Sequence, residues 1–330
     1  MFRRVAYPLA LFAAVACLTA APAFSAERGL GVTPPASLPH EALGAYHALI
    51  VGINDYREWN PLQTAVKDAT VMRDILVEQY GFDEGNVILR ADGEATRSRI
   101  IGDLRGLASA LGETDNLLIY FAGHGQLDDL TGEGYWIPVE GRLKDPSTWI
   151  SHGTLKAVLG SERVTAKNVV VIADSCYSGT LLRGGPSLLK MDERSYTEKL
   201  AEAASKRSRQ VVTSGGLEPV ADGGRDGHSL FAYYLITALR ENDREVVDLE
   251  NLFHTRVWAP VTQVGDQRPN VGRLKTPMDE DGQFVLSNRA VIEGKAVLAA
   301  EESRKQEVEE ARLRGESEER QRLKAEQAQL

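Results

Sequence analysis

Short unbroken apolar runs alternate along this chain with stretches of helical spacing. Residues 47–53 (His-Ala-Leu-Ile-Val-Gly-Ile), 117–121 (Leu-Leu-Ile-Tyr-Phe) and 169–173 (Val-Val-Val-Ile-Ala) are such runs. Each has the length of a strand, and the lack of polar alternation predicts burial on both faces of a sheet. Shorter strands are predicted at 86–89 and 210–213. Over 65–80, Val66, Ala69, Met72, Ile75 and Leu76 recur at helical spacing, with Gly81 as the stop. Ile100, Leu104, Leu107 and Leu111 form a second apolar stripe, opened by Thr96 as N-cap. Residues 154–159 read as a short helix. Residues 229–239 read as a strong one, with Phe231, Tyr234, Leu235 and Ala238 on one face. Strands alternating with helices imply right-handed parallel β-α-β units. The expected class is α/β: three layers, a mostly parallel central sheet with helices on both faces, and one domain over 45–286.

The two ends have a different texture. Residues 1–26 begin with a basic Met1-Phe2-Arg3-Arg4, continue with an apolar run from Val5 to Leu18, and reach small residues at Ala21-Pro22-Ala23 and Phe24-Ser25-Ala26. That is the pattern of a cleavable signal peptide, too short to span a bilayer comfortably. It predicts an exported protein, periplasmic or secreted. Residues 27–44 are a linker rich in Gly and Pro. Residues 287–330 form a charged tail with opposite charges four apart, such as Glu301–Lys305 and Glu310–Arg314, which favours a helix. Its apolar positions Val308, Leu313 and Leu323 do not sustain a heptad, so self-association through this helix has little support and a solvated helix is expected.

Composition narrows the function. With 47 acidic and 38 basic side chains the formal charge is -9, against a nucleic-acid binder. Two cysteines exclude a disulfide framework and a thiolate-rich zinc site. Loss of the leader removes Cys17 and leaves Cys176 as a lone thiol in an oxidising compartment, either buried and inert or present for its reactivity.

Chemistry gathers at strand ends, where ligands meet an open parallel sheet. The run ending at Phe121 leads into Ala122-Gly123-His124-Gly125, and the run ending at Ala173 leads into Asp174-Ser175-Cys176-Tyr177-Ser178-Gly179. An imidazole and a thiol at equivalent ends of two strands are the pair that nucleophilic catalysis requires. His124 is the candidate general base and Cys176 the candidate nucleophile. The amides of Gly125 and Cys176 are candidate oxyanion donors. A core cysteine and a surface histidine are the ordinary alternatives, and their coincidence beside Gly-x-Gly and Ser-Gly turns argues against them. No metal site is expected, because no third and fourth ligands cluster with this pair.

The segments 48–56, 120–125 and 174–179 together resemble the caspase family in its wide sense, in the metacaspase and bacterial caspase-like (orthocaspase) branch. The separation of 52 residues between His124 and Cys176 agrees with the roughly 50 expected there. The resemblance extends over nearly all of 45–286 and implies the caspase-like three-layer fold and a cysteine endopeptidase. Metacaspases cut after Arg or Lys. Asp174, two residues before the candidate nucleophile, suits a pocket for a basic side chain through a charge-assisted pair. Asp55 is a second candidate wall, and Glu218 and Asp222 are weaker ones. The implied partners are protein or peptide substrates with basic residues.

The family also implies self-processing. The connection from Gly179 to the strand at Gln210 carries Arg183, Lys190, Arg194, Lys199, Lys206, Arg207 and Arg209. No cofactor is implied with confidence by the residues. Many metacaspases bind calcium through acidic residues, but the position for an acidic pair reads Ser151-His152-Gly153. Asp128, Asp129 and Glu133 alone do not make an oxygen cage, so calcium dependence is doubtful. The competing class is a caspase-like peptide-binding or scaffolding module with little catalysis, against which the presence of both His124 and Cys176 counts.

Overall fold

The apolar runs become the centre of one six-stranded sheet. A computed structural model describes residues 43–182, 200, 202–216, 223–274 and 276–329. The expected signal peptide, most of the linker, Arg183 to Lys199, Glu218 and Asp222 lie outside the described residues. Strands β1 (Tyr46–Gly52), β2 (Val87–Ala91), β3 (Asn116–Ala122), β7 (Asn168–Asp174) and β8 (Ser208–Thr213) run parallel, and β10 (Asn270–Arg273) is the antiparallel edge. Their order is β10-β8-β7-β3-β1-β2. This is the mixed α/β, mostly parallel architecture read from the alternation of strands and helices.

Period-two geometry explains why the central strands lack polar positions. Ile50, Tyr120, Ile172 and Val212 pack on one face against α1 (Ala65–Gln79) and α4 (Leu230–Arg240). Leu49, Ile119, Val171 and Val211 pack on the other against α2 (Arg97–Ala110) and α3 (His152–Leu159). Thr96, Ser151 and Ser229 each accept a backbone N–H in the first turn of α2, α3 and α4. Each cap removes one orphan donor and sets where its helix begins. Helix α1 ends at Gly81, whose φ of 70° lets Phe82 N–H reach back to Leu76 O.

Several elements are too short to show a period. β4 (Gly125–Leu127), β5 (Gly134–Trp136) and β6 (Ile150–Ser151) form a small antiparallel sheet beyond the end of β3. β9 (Val246–Asp248) pairs with β11 (Val285–Ser287), and between them α5 (Leu249–Leu252), a π turn (Phe253–Val257) and α6 (Trp258–Val264) run on as one helical segment. The tail is helix α7 (Arg289–Gln329), exposed beyond its first turn and carrying the expected Arg314–Glu310 pair.

The strand starts are tied by buried polar side chains. Asn168 Nδ2 donates to Asn116 Oδ1 at 2.7 Å, and Ser208 Oγ donates to Asn168 Oδ1 at 2.9 Å. These bonds cross β3, β7 and β8 in turn, so they hold the three strands in register. Arg209, expected in the basic connection, is instead buried in β8. Its guanidinium donates to the carbonyls of Val164, Ala166, Lys167 and Ser208. Burial pushes its pKa down to about 10, and a side chain so enclosed is not a cleavage target. Replacing Asn168 by Leu should strand two buried partners and lower stability by about 1–3 kcal/mol in urea unfolding. A loss below a few tenths of a kcal/mol would show that the ladder does not hold the register.

Candidate active site

The pairing of β3 with β7 sets the level of the chemistry. Ala122 is opposite Asp174, and Gly123 N–H donates to Asp174 O at 3.2 Å. His124 and Cys176 each follow two residues later. Both line one cleft together with Asp174, Ser175, Asp68 and Ser229. Gly125 makes this approach possible. A Cβ there would lie 2.0 Å from Cys176 O, so only glycine lets the two strand ends meet.

His124 is oriented by the loop after β1. Its Nε2 is 2.7 Å from Asn60 O. A carbonyl only accepts, so Nε2–H donates and the lone pair is at Nδ1. The backbone N–H of His124 donates to Tyr56 Oη at 2.7 Å, and the Tyr56 and Trp59 rings are centred 4.8 and 5.5 Å from the imidazole. Burial holds the Tyr56 phenol far above its ordinary pKa, so it stays neutral. None of Tyr56, Trp59 and Asn60 is marked by periodicity. The stretch of seven polar or aromatic residues from Asn54 to Asn60, close after a buried strand, is the readable signal.

Cys176 is a partly buried cysteine. The next residue, Tyr177, is left-handed at φ 58°, an uncommon state for a side chain of its size. The turn that follows, Ser178–Leu181, is held from two sides. Gly179 N–H donates to Gly216 O at 3.0 Å, and Lys156 Nζ of α3 donates to Thr180 O at 2.6 Å. His152 Nδ1 bonds Thr180 Oγ1 as well. Burial, reinforced by the Lys156 charge, pushes His152 down to about 3, so it is neutral at physiological pH.

Two carboxylates form the other wall. Asp174, 6% exposed, accepts from Ser229 Oγ at 2.5 Å. Asp68, fully buried in the first turn of α1, accepts from Ser229 N at 3.1 Å. Burial and the charges of both acids raise the Tyr120 phenol well above its ordinary pKa. Asp55, the expected second wall, is exposed on the loop after β1, where its N–H donates to Asp92 Oδ1, and it does not line the cleft. Asp68 is there instead. It was legible as an acid on the buried stripe of α1 beside Ala65, Ala69 and Met72, although an acid in a first turn ordinarily only complements the helix dipole.

The family model for the caspase domain matches residues 45–277. The chain belongs to the caspase-domain family. It is similar to Metacaspase-1B of Aspergillus oryzae, 29% identical over 152 residues, 42% of this chain and 36% of the fungal protein. Metacaspase-1 of Schizosaccharomyces pombe is 26% identical over 149 residues, 42% of this chain and 35% of its own. Metacaspase-1 of Saccharomyces cerevisiae is 25% identical over 155 residues, 43% and 35% of the two chains. The aligned part thus spans about a third of these curated relatives.

At the position where the family resemblance implies an acidic pair, the residues are Ser151, His152 and Gly153. Ser151 Oγ caps α3, and His152 is buried against Thr180. Glu133 Oε1 accepts from Gly153 N at 2.5 Å, and both Asp128 oxygens accept from its own loop, at Leu130 N and Thr131 Oγ1. Among the described residues no group of three or more His, Cys, Asp or Glu side chains is arranged to hold a metal ion. Lys156 brings a cationic group to this region, bonded to the turn after Cys176. Substituting Gly125 by Ala should overpack the junction of the two strand ends. The expected cost is about 1–3 kcal/mol, read as a lower urea midpoint, with a changed iodoacetamide labelling rate at Cys176. A variant matching the parent in both would show that the strand ends do not need the glycine.

Proposed function

We propose that this caspase-domain protein is an exported cysteine endopeptidase that cleaves after Arg or Lys. The observation that carries the reading is the single cleft lined by His124, Cys176, Asp174 and Asp68. In this reading Cys176 Sγ gives its proton to His124 Nδ1 and attacks the carbonyl carbon of the scissile bond. The amides of Gly125 and Cys176 stabilise the oxyanion. His124 then returns the proton to the leaving amine as the C–N bond breaks, and water hydrolyses the thioester with His124 again as base. The Nε2–H bond to Asn60 O keeps Nδ1 as the accepting atom through both steps. Asp174 and Asp68, away from bulk water, favour a cationic side chain before the cut. Export rests on the sequence pattern of residues 1–26.

Peptides carrying Arg, Lys or Asp before a reporter test this directly. Arg and Lys peptides should be cleaved and the Asp peptide spared, with Cys176→Ala inactive. Asp174→Asn should cost about 2–5 kcal/mol in kcat/KM for the Arg peptide if the pair is desolvated. Preferential cleavage after Asp would overturn the assignment of specificity. Full activity of Cys176→Ala would overturn the assignment of the nucleophile.

The same reading makes the enzyme independent of calcium. The turn after Cys176 is held by Lys156 Nζ and His152, and among the described residues no group of acids is arranged to hold a metal ion. Excess EGTA should leave kcat/KM for the Arg peptide unchanged, while Lys156→Met should reduce kcat. Loss of activity in EGTA, restored by calcium, would refute it.

A further inference from the structure

We infer that His228 sets the charge of the pocket for the basic side chain and so determines how strongly the enzyme prefers a cationic residue over an uncharged one of the same shape. This deepens the reading of Asp174 and Asp68 as that pocket and rests on it.

The segment His228-Ser229 leads into α4 and clasps both acids. His228 Nδ1 is 2.5 Å from Asp68 Oδ1, and Ser229 N–H donates to the other oxygen, Oδ2, at 3.1 Å. Ser229 Oγ donates to Asp174 Oδ2 while accepting from Ala232 N–H, as the cap of α4, at 2.9 Å. Two buried carboxylates on different elements, α1 and β7, are thus held by consecutive residues of a third. A carboxylate accepts, so the neutral imidazole donates Nδ1–H to Asp68 and leaves Nε2 to take up a proton. His228 is a positioning residue in its neutral form and a counter-ion in its protonated form.

The charged groups around it decide when that change occurs. Asp68 and Lys67 face it from α1, Asp226 from its own turn and Arg240 from α4, Asp174 lies beyond Ser229, and the Arg225 guanidinium is turned onto the Tyr233 ring. Lys67 Nζ is turned onto Asp226 O at 2.6 Å. Burial, then Lys67 and Arg240, hold the imidazole below its ordinary pKa, with Asp226 opposing. At neutral pH the neutral imidazole therefore adds no positive charge beside the two acids. On acidification, Nε2 takes a proton from solvent, His228 pairs with Asp68, and one of the two charges offered to the ligand is compensated. Affinity for a cation falls as pH falls, and affinity for an uncharged isostere does not.

The ratio of kcat/KM for Arg and citrulline reporter peptides isolates this effect, since both substrates share the titrations of His124 and Cys176. In the wild-type chain the ratio should fall as pH is lowered, by about tenfold once His228 is protonated, the size expected for one added charge near the pocket. His228→Asn keeps an N–H donor for Asp68 without a titrating group, so its ratio should stay high and flat. His228→Ala should show a reduced ratio at every pH. Agmatine protection of Cys176 from iodoacetamide, measured on wild type over the same titration, gives a reading that needs neither citrulline cleavage nor a folded variant, and it should weaken in parallel. A large Arg preference that is flat with pH in the wild type, or that falls equally in His228→Asn, would overturn the role of His228 alone. A ratio near one at every pH would overturn the basic-pocket reading and this inference together.

Discussion

The parallel pairing of β3 with β7 is the constraint on which the rest of the site depends. Ala122 stands opposite Asp174, and the residues that matter follow each strand by the same number of steps. A slip of one residue would turn every side chain of a strand to the other face. It would send Asp174 away from α1 and move Cys176 out of level with His124. The register is protected at both ends of the strands: by the Asn116, Asn168 and Ser208 side chains at their starts, and by Gly125 closing on Cys176 at their finish. Two faces of apolar packing between those ends supply the cohesion, but they do not choose among registers as buried polar pairs do.

Around that pairing the site is assembled from loops whose conformations are unusual and therefore need holding. Tyr177 is left-handed beside the thiol, and the turn after it is fastened by Gly216, His152 and Lys156. His124 is gripped by Asn60 and Tyr56 from a loop that precedes α1. Local strain persists only where surrounding contacts over-determine it. Here those contacts come from α3, β5 and the end of β8, which gives the small antiparallel sheet a reason to exist: it brings β5 and α3 against the turn that carries the chain away from Cys176.

Much of this was legible in the amino-acid sequence, for physical reasons that can be named. Runs without polar positions had to be strands buried on both faces. Thr96 announced its helix because a side-chain oxygen satisfies an orphan N–H. His124 and Cys176 stood out together, because packing alone does not account for their coincidence at equivalent strand ends beside Gly-x-Gly and Ser-Gly turns. Other parts left no comparable trace. Strands of two or three residues such as β4, β5 and β6 have no period to detect. Asp55 drew attention because strand ends collect ligands, and Asp68 drew none because a helical acid is normally solvated. Only the buried stripe of α1 shows that Asp68 turns inward. Arg209 read as one more basic residue of a connection, since nothing local reveals the four carbonyls that surround it.

In the proposed function, reaction and selectivity are built from different elements that meet at one residue. β3 and β7 carry the imidazole and the thiol, while the starts of α1 and α4 carry Asp68, His228 and Ser229. Asp174 belongs to both sets, as the last residue of β7 and as the partner of Ser229. Its carbonyl holds Gly123 beside His124, and its carboxylate faces the cap of α4. A change of side chain at Asp174 therefore alters the charge offered to the substrate while the backbone that levels His124 with Cys176 stays in place. On the proposed function, selectivity would vary through α1, α4 and one side chain, while the reaction would depend on how β3 meets β7. That asymmetry is a property of the topology: the helices reach the cleft by their first turns and can be edited there, while the strands reach it only through their register.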